Sequence, residues 1–345
     1  MKSLTSMLMV LGLFALLISP LAFIGCTGDD GERGPIGPAG GTECMNCHAD
    51  TSVVWAISFQ YDHSVHAAGE TTNRNNPPCA TCHTNEGFVE SQTGEPFFDE
   101  HLAADRDLEN PSPIGCFTCH APHTNGDFSL RADGPVDLIM GGTFDYGPAN
   151  ICGNCHQARA ANPAIDPAGI TVTSSRWGPH HGTQGNMLAG EGGYEMEGYE
   201  YPNSIHTYYV DNGCVACHMA APVGGVAGGH SWNMTYDDEG EEGEFTTGCN
   251  VEGCHQGDLE DFNYEGAQDE IQTLLDQLET VLMTSGIMNE EHLLVASQSS
   301  PLELSEAEAA AVWNFLLVWE DRSLGVHNTE YAAALLQNSL DALSK

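Results

Sequence analysis

Apolar and polar positions divide the chain into three parts. Near the start, a single charge, Lys2, precedes an apolar stretch from about Leu8 to Ile18. A comfortable helical crossing of a bilayer takes about 20 residues, so this shorter stretch predicts an export signal over residues 1–25. Beyond residue 263, apolar residues return at helical spacing. Ile271, Leu274, Leu275, Leu278 and Leu282 fall on one face. Ser305 with Glu308 reads as a capping box opening the helix "SEAEAAAVWNFLLVWEDRS". Asn328 is placed to cap a last helix that carries Tyr331, Leu335, Leu336 and Leu340. Residues 263–345 therefore predict a helical hairpin or small bundle packed on the preceding part. Trp313, Phe315 and Trp319 are its expected core.

The export signal ends "AFIG" before Cys26, which resembles a bacterial lipobox. There the cysteine is lipidated and becomes the mature N-terminus. Phe23 stands where leucine is commoner, and a plain signal peptide with a free Cys26 is the alternative. In residues 26–42, Gly28, Gly31, Gly34, Gly37 and Gly40 recur every third residue, with Pro35 and Pro38 between them. The run is a few triplets long and predicts an extended tether rather than a collagen triple helix.

Composition sharpens the picture of the middle. Of 345 residues, 41% are apolar, 39 are Gly and 17 are Pro, which suits a loop-rich chain. Such a chain covers a core more easily with a buried cofactor. Nine Lys plus Arg stand against 49 Asp plus Glu. That balance argues against nucleic acid or an anionic membrane surface as partner, because both need basic patches. The acidic run at 237–244, "DDEGEEGE", is read as a solvated loop rather than a calcium site.

From residue 43 to 262 the cysteines form a repeat. The motifs are CMNCH (Cys44, Cys47, His48), CATCH (Cys79, Cys82, His83), CFTCH (Cys116, Cys119, His120), CGNCH (Cys152, Cys155, His156), CVACH (Cys214, Cys217, His218) and CNVEGCH (Cys249, Cys254, His255). First cysteines are 35, 37, 36, 62 and 35 residues apart, which marks one repeated unit per motif. The long fourth interval holds an insert rich in Gly, Tyr and His. C-x-x-C-H is the attachment pattern of haem c (heme c), in which two thiols become thioethers on one porphyrin and the histidine binds its iron. Zinc needs four ligands per ion and gives no reason for a histidine after each second cysteine. A disulfide ignores the histidine as well. The spacing predicts six covalent haems. In the sixth motif the gap is four residues rather than two, and a structural disulfide is the competing reading of Cys249 and Cys254.

A haem iron between two histidines suits electron transfer, whereas an open position permits substrate chemistry. Sixteen histidines are present, and ten lie outside the motifs. His66, His206 and His230 sit in short polar and apolar settings suited to a second ligand. His123 lies three residues after His120, too near to wrap around the same iron, so as a ligand it serves a neighbouring haem. "GPHHG" offers His180 or His181, and His327 opens the last helix. For His63, His101 and His292 a surface or capping role is favoured. The only lysines are Lys2 and Lys345, which argues against a lysine-ligated catalytic haem.

These residues resemble the multihaem c-type cytochromes that include pentahaem nitrite reductases, hydroxylamine oxidoreductases and cytochrome c554. "CVACHMAAPVGG" with "GGHSW" is similar to that group's C-H-M followed by a ligand histidine, here His230. "RWGPHHGTQ" resembles a G-P-H-x-x-x-Q segment, which favours His180. "EDRSLGVHNTEYAAALL" resembles the group's C-terminal histidine-helix module and implies His327 as a ligand. The pattern departs from nitrite reductases in lacking C-x-x-C-K. Lipoproteins of this kind resemble outer-surface cytochromes of metal-reducing bacteria.

The expected fold is mainly α, with much irregular loop and little β: a hexahaem domain over 43–262 and the helical segment packed on it. The expected function is electron transfer at the envelope through mostly bis-histidine haems, with distal ligands His66, His123, His180, His206, His230 and His327. Expected partners are other redox proteins or cytochromes, an extracellular metal oxide, and further copies of the chain in an oligomer or filament. Membrane contact would run through the lipid on Cys26. The alternative is a reductase or oxidase of a small nitrogen or sulfur compound at one open haem.

Overall fold

Helices and irregular loops dominate the structure, a computed structural model that describes residues 53–94, 107–159, 164–238, 240–257 and 259–345. The chain divides into Met1–Val54 and Trp55–Lys345, and of the first unit only Val53 and Val54 are described. The export signal, Cys26, the tether, the motif Cys44, Cys47 and His48, and His101 therefore lie outside the described residues. Among the described residues no helix is long and apolar enough to cross a membrane.

The first described helix, α1 (Val53–Asp62), buries none of its residues. Short helices follow, several built on the cysteine motifs themselves: Pro77–His83, Cys116–Cys119 and Cys214–His218. Three longer helices form the tail: α2 (Ala267–Thr284), α3 (Glu306–Asp321) and α4 (Thr329–Leu343). Strands come only as two-stranded ribbons. β1 (Val136–Asp137) pairs with β2 (Thr143–Phe144), and β4 (Thr235–Asp238) pairs with β5 (Glu241–Glu244), both antiparallel. β3 (Ile170–Val172) pairs antiparallel with the distant β6 (Leu302–Leu304), in the register Ile170 opposite Leu304.

The helical periodicity of the tail translates directly into burial. Ile271, Leu274, Leu275, Leu278 and Leu282 are all buried along α2. At the start of α3, the Ser305 hydroxyl accepts from the Glu308 N–H at 3.3 Å and the Glu308 carboxylate accepts from the Ser305 N–H at 2.8 Å. Each thus satisfies a donor that the first turn leaves open. Asn328 caps α4 by accepting from the Tyr331 N–H at 3.3 Å. Helix α3 is buried almost all round from Ala309 to Val318, so it is the central helix of the tail. Trp313 and Phe315 are buried, and Trp319 packs on the same core half-buried.

The tail's core takes in Ile170, Val172, Trp177 and Met187 from the part that carries the cysteine motifs. The insert of the long fourth interval docks on it through polar bonds. Buried Asn314 accepts from the Tyr194 N–H at 2.7 Å and donates to the Tyr194 carbonyl at 3.0 Å, while the Trp313 indole donates to the Gly192 carbonyl at 2.7 Å. At Gly193 a Cβ would stand 2.4 Å from a Leu335 methyl and 2.8 Å from the Tyr331 hydroxyl, so only glycine lets the backbone pass there. A second, smaller core of Val136, Leu138, Phe144, Ala149 and Leu188 packs against Cys214 and Val215, which ties the fourth and fifth motifs together.

Candidate haem sites

Three of the described motifs present their histidine by the same local hydrogen bond. The N–H of His120 donates to the Cys116 carbonyl at 2.9 Å, and that of His156 to the Cys152 carbonyl at 2.9 Å. In the stretched sixth motif the N–H of His255 donates to the Cys249 carbonyl at 3.1 Å. Gly253 absorbs the two extra residues with φ +91, a left-handed conformation in which glycine carries no steric cost. The longer gap therefore bulges outward and leaves the histidine where the shorter motifs place theirs.

The motifs are spread along the sequence but contiguous in space. Cys82 lies beside Cys155, Cys152 beside Cys214, Cys217 beside Cys249, and Cys119 beside Cys152. The described motif cysteines are free thiols. Cys249 lies beside Cys217, and Cys254 is exposed.

Four motif histidines each face a histidine from elsewhere in the chain. Ring centres are 6.1 Å apart for His66 and His156, 6.3 Å for His120 and His230, 6.2 Å for His206 and His255, and 6.2 Å for His218 and His327. These rings neither stack nor hydrogen-bond with one another. With metal–imidazole bonds of about 2.0–2.1 Å and about 1.1 Å from nitrogen to ring centre, one ion between two imidazoles sets the centres about 6.2–6.4 Å apart. The observed gaps match that span.

Tautomers point the same way. Nδ1 of His120 donates to the Phe128 carbonyl at 2.7 Å, Nδ1 of His206 to the Val326 carbonyl at 2.7 Å, and Nδ1 of His218 to the Trp232 carbonyl at 3.0 Å. His156 Nδ1 meets the Gln184 side-chain oxygen at 3.0 Å, and His327 Nδ1 meets the Asp321 carboxylate at 2.6 Å. A carbonyl only accepts, so the ring proton is held on Nδ1 and the Nε2 lone pair is left free for a metal. Burial also favours the neutral ring: it lowers His66 to about 4, helped by the neighbouring His156, and lowers His218 to about 4. At His327 burial lowers the pKa, but the Asp321 carboxylate outweighs it and the net shift is upward.

Local structure positions the second histidine of each pair. His66 sits on the short helix Val65–Ala68, capped by the Ser64 hydroxyl. The His230 N–H donates to the Gln60 side chain at 2.9 Å, which anchors its turn to α1. His206 lies on the helix Ile205–Tyr209 of the insert. Large apolar side chains beside these histidines stand exposed, with Val65, Ile205 and Tyr209 at 79%, 67% and 76%. Exposed apolar surface beside a facing histidine pair is what a flat apolar cofactor would cover.

The remaining candidates are arranged differently. His83 makes no ring contact with another histidine among the described residues; burial first, then Arg74, Arg159 and His181, lower its pKa. His180 lies in the same electrostatic neighbourhood, lowered to about 4 by burial and then by His181, Arg159, His83 and Arg74. His181 is engaged elsewhere, 3.0 Å from the Glu320 carboxylate. His123 stands with its ring 5.9 Å from that of Phe117. His63 donates to the Phe59 carbonyl on its own helix at 2.7 Å, and His292 is held by Glu279 at 2.8 Å against Trp319.

Sequence reasoning passed over Asp321, Gln184 and Arg159 as site residues. Gln184 was visible as the last letter of the G-P-H-x-x-x-Q segment. Asp321 stands six residues before His327, a spacing that carries no signal until the turn after α3 folds the two together. Arg159 donates to the Pro78 carbonyl at 2.9 Å and to the Cys82 sulfur at 3.2 Å, contacts no sequence pattern announces.

Among solved structures, the chain is similar to the crystal structure of the outer cell wall cytochrome OcwA, with a TM-score of 0.51 and 20% sequence identity. The likeness is one of fold, mostly helical with irregular loops and little strand. The match covers 82% of this chain and 49% of that one, so the chain spans about half the length of the cytochrome it matches. No protein-family model matches the chain, and no curated protein matches it.

Proposed function

We propose that the chain is a multihaem c-type cytochrome that carries electrons at the cell envelope. When bound, haem supplies an iron that cycles by one electron. The cysteine pairs of the six motifs would hold it covalently, with His48, His83, His120, His156, His218 and His255 as the first iron ligands. His66, His230, His206 and His327, which face His156, His120, His255 and His218, would supply second ligands, with His123 and His180 as the remaining ones. The observation that carries the reading is the set of four cross-chain histidine pairs at 6.1–6.3 Å, each containing one motif histidine.

The segment before Cys26 supports export and lipid anchoring at the outer membrane. OcwA, named for the outer cell wall, supports a location in the envelope. The acidic surface suits redox partner proteins, other cytochromes or an extracellular metal oxide rather than nucleic acid. The test is the purified exported protein: covalent haems counted by mass spectrometry and the spin state of the oxidised iron read by optical and electron paramagnetic resonance spectra. Six haems with a wholly low-spin spectrum support the carrier. A chain without covalent haem overturns it.

One observation favours a second reading, a reductase or oxidase of a small nitrogen or sulfur compound. His83 has no facing histidine ring among the described residues, and Arg74, Arg159 and His181 act on it. An open position there would meet positive charge in a chain of formal net charge −40. A high-spin component that takes up cyanide or nitrite would support this reading over a pure carrier.

A further inference from the structure

The acceptors that hold the ring protons are not equivalent. Of the five histidines in the facing pairs whose Nδ1 is bonded, three donate to backbone carbonyls and one meets an amide oxygen. Among these five only His327 faces a carboxylate, that of Asp321 at 2.6 Å. Asp321 is 1% exposed and is the last residue of α3. A charge there is costly twice over. Burial withdraws it from water, and the C-terminus of a helix is the negative end of its dipole.

The neighbours offset only part of that cost. The Ser323 hydroxyl donates to one carboxylate oxygen, and His327 Nδ1 donates to the other. Arg322, next in sequence, lies instead over the Trp319 ring at 4.7 Å and reaches Glu320 at 3.4 Å. Among the described residues Asp321 thus has hydrogen-bond donors but no lysine or arginine paired with it. The positive charge that would balance it belongs on the far side of His327, at Nε2, where His218 faces it across 6.2 Å.

We propose that Asp321 is a positioning residue that makes the His218–His327 site the most reducing of the four paired-histidine sites. This rests on the function proposed above. Asp321 fixes the His327 tautomer, draws electron density toward Nε2 through the ring, and places a buried negative charge near the metal. Each effect favours the more positive, oxidised state. The neutral acceptors at His120, His156, His206 and His218 orient their rings without that charge.

The test is a spectroelectrochemical titration of the exported, haem-loaded protein beside Asp321→Asn, Asp321→Glu and Ser323→Ala. Asn keeps an acceptor for Nδ1 but removes the charge. We expect the component that His327→Ala assigns to this site to lie lowest among the four paired sites in the wild type and to shift upward in Asp321→Asn by at least tenfold in its oxidised-to-reduced ratio, which for one electron is 59 mV, while the other components stay in place. Asp321→Glu should hold the wild-type value. Ser323→Ala, which leaves the whole carboxylate charge to His327, should move the same component further down. His327→Ala identifies that component by removing its low-spin signature.

Unchanged potentials in both Asp321→Asn and Ser323→Ala, with the haem number preserved, overturn the inference. So does a uniform shift of every component. If Asp321→Asn fails to accumulate, the direction of the Ser323→Ala shift decides alone. A wild type without haem would overturn the proposed function instead.

Discussion

Replacing Asn314 by Leu tests whether the tail is the scaffold that holds the histidine-bearing insert. Asn314 is fully buried and makes three hydrogen bonds: from the Tyr194 N–H at 2.7 Å, to the Tyr194 carbonyl at 3.0 Å, and to the Ser339 hydroxyl at 3.2 Å. Leucine fills a similar volume, so little cavity forms and the cost comes from the polar groups left behind. Ser339 keeps its bond to the Leu335 carbonyl at 2.7 Å and loses little. The two backbone groups of Tyr194 lose their partners, at about 1–3 kcal/mol for each buried group. Tyr194 is half-buried and water relieves part of this, which sets the expected loss at about 2–3 kcal/mol. Guanidinium unfolding of the haem-loaded protein, followed by circular dichroism of the helices, measures it. A loss below about 0.5 kcal/mol, the range of ordinary surface substitutions, would refute the claim that these bonds tie the insert to α3.

Further outcomes follow from the same contacts. Gly193→Ala should cost about 1–3 kcal/mol through overpacking against Leu335 and Tyr331, and Leu335→Ala in the same chain should make the pair less than additive in unfolding experiments. His206→Ala should leave the number of covalent haems unchanged but create one high-spin, cyanide-binding site at the sixth motif, read by optical spectra. Cys254→Ser should weaken or abolish attachment at that motif, lowering the covalent haem count by one in mass spectrometry; an unchanged count would mean the sixth motif holds none. Burial, then the nearby Glu195 carboxylate, raise the pKa of Glu191. A group whose folded pKa is raised stabilises the fold while protonated, so ionised Glu191 weakens it at neutral pH. Glu191→Gln should therefore give a small gain at neutral pH that fades as the pH falls through the raised pKa, measured by unfolding at several pH values.

How far the chain could be read from its letters differs from element to element. Helix α2 was legible because its apolar residues repeat at the helical period, and the caps at Ser305 and Asn328 because a cap is a contact across three residues. The central place of α3 was not, since a run apolar on all sides specifies burial without naming what buries it. The partners prove to include β3 and the Gly192–Tyr194 stretch, both over a hundred residues away in sequence. The candidate haem motifs are local patterns, two thiols and an imidazole within a few residues, so spacing alone singles them out. The sixth motif was ambiguous because a longer gap has several closed geometries, and the Gly253 bulge selects one of them.

What the sequence by itself determined is therefore the set of groups: the cysteine pairs, the histidine after each, the excess of spare histidines and the acidic surface. Which spare histidine faces which motif was decided only by the tertiary structure. His66 meets His156 and His230 meets His120 because α1 and its neighbouring turns carry the first and anchor the second. His206 and His327 find their partners because the tail holds both the insert and its own first turn in place. Pairing across such distances depends on the packing of buried side chains and the bonds of buried amides, which have no period and no local spacing to read. The same reason hid Asp321, whose carboxylate matters only once the end of α3 brings it to 2.6 Å from His327.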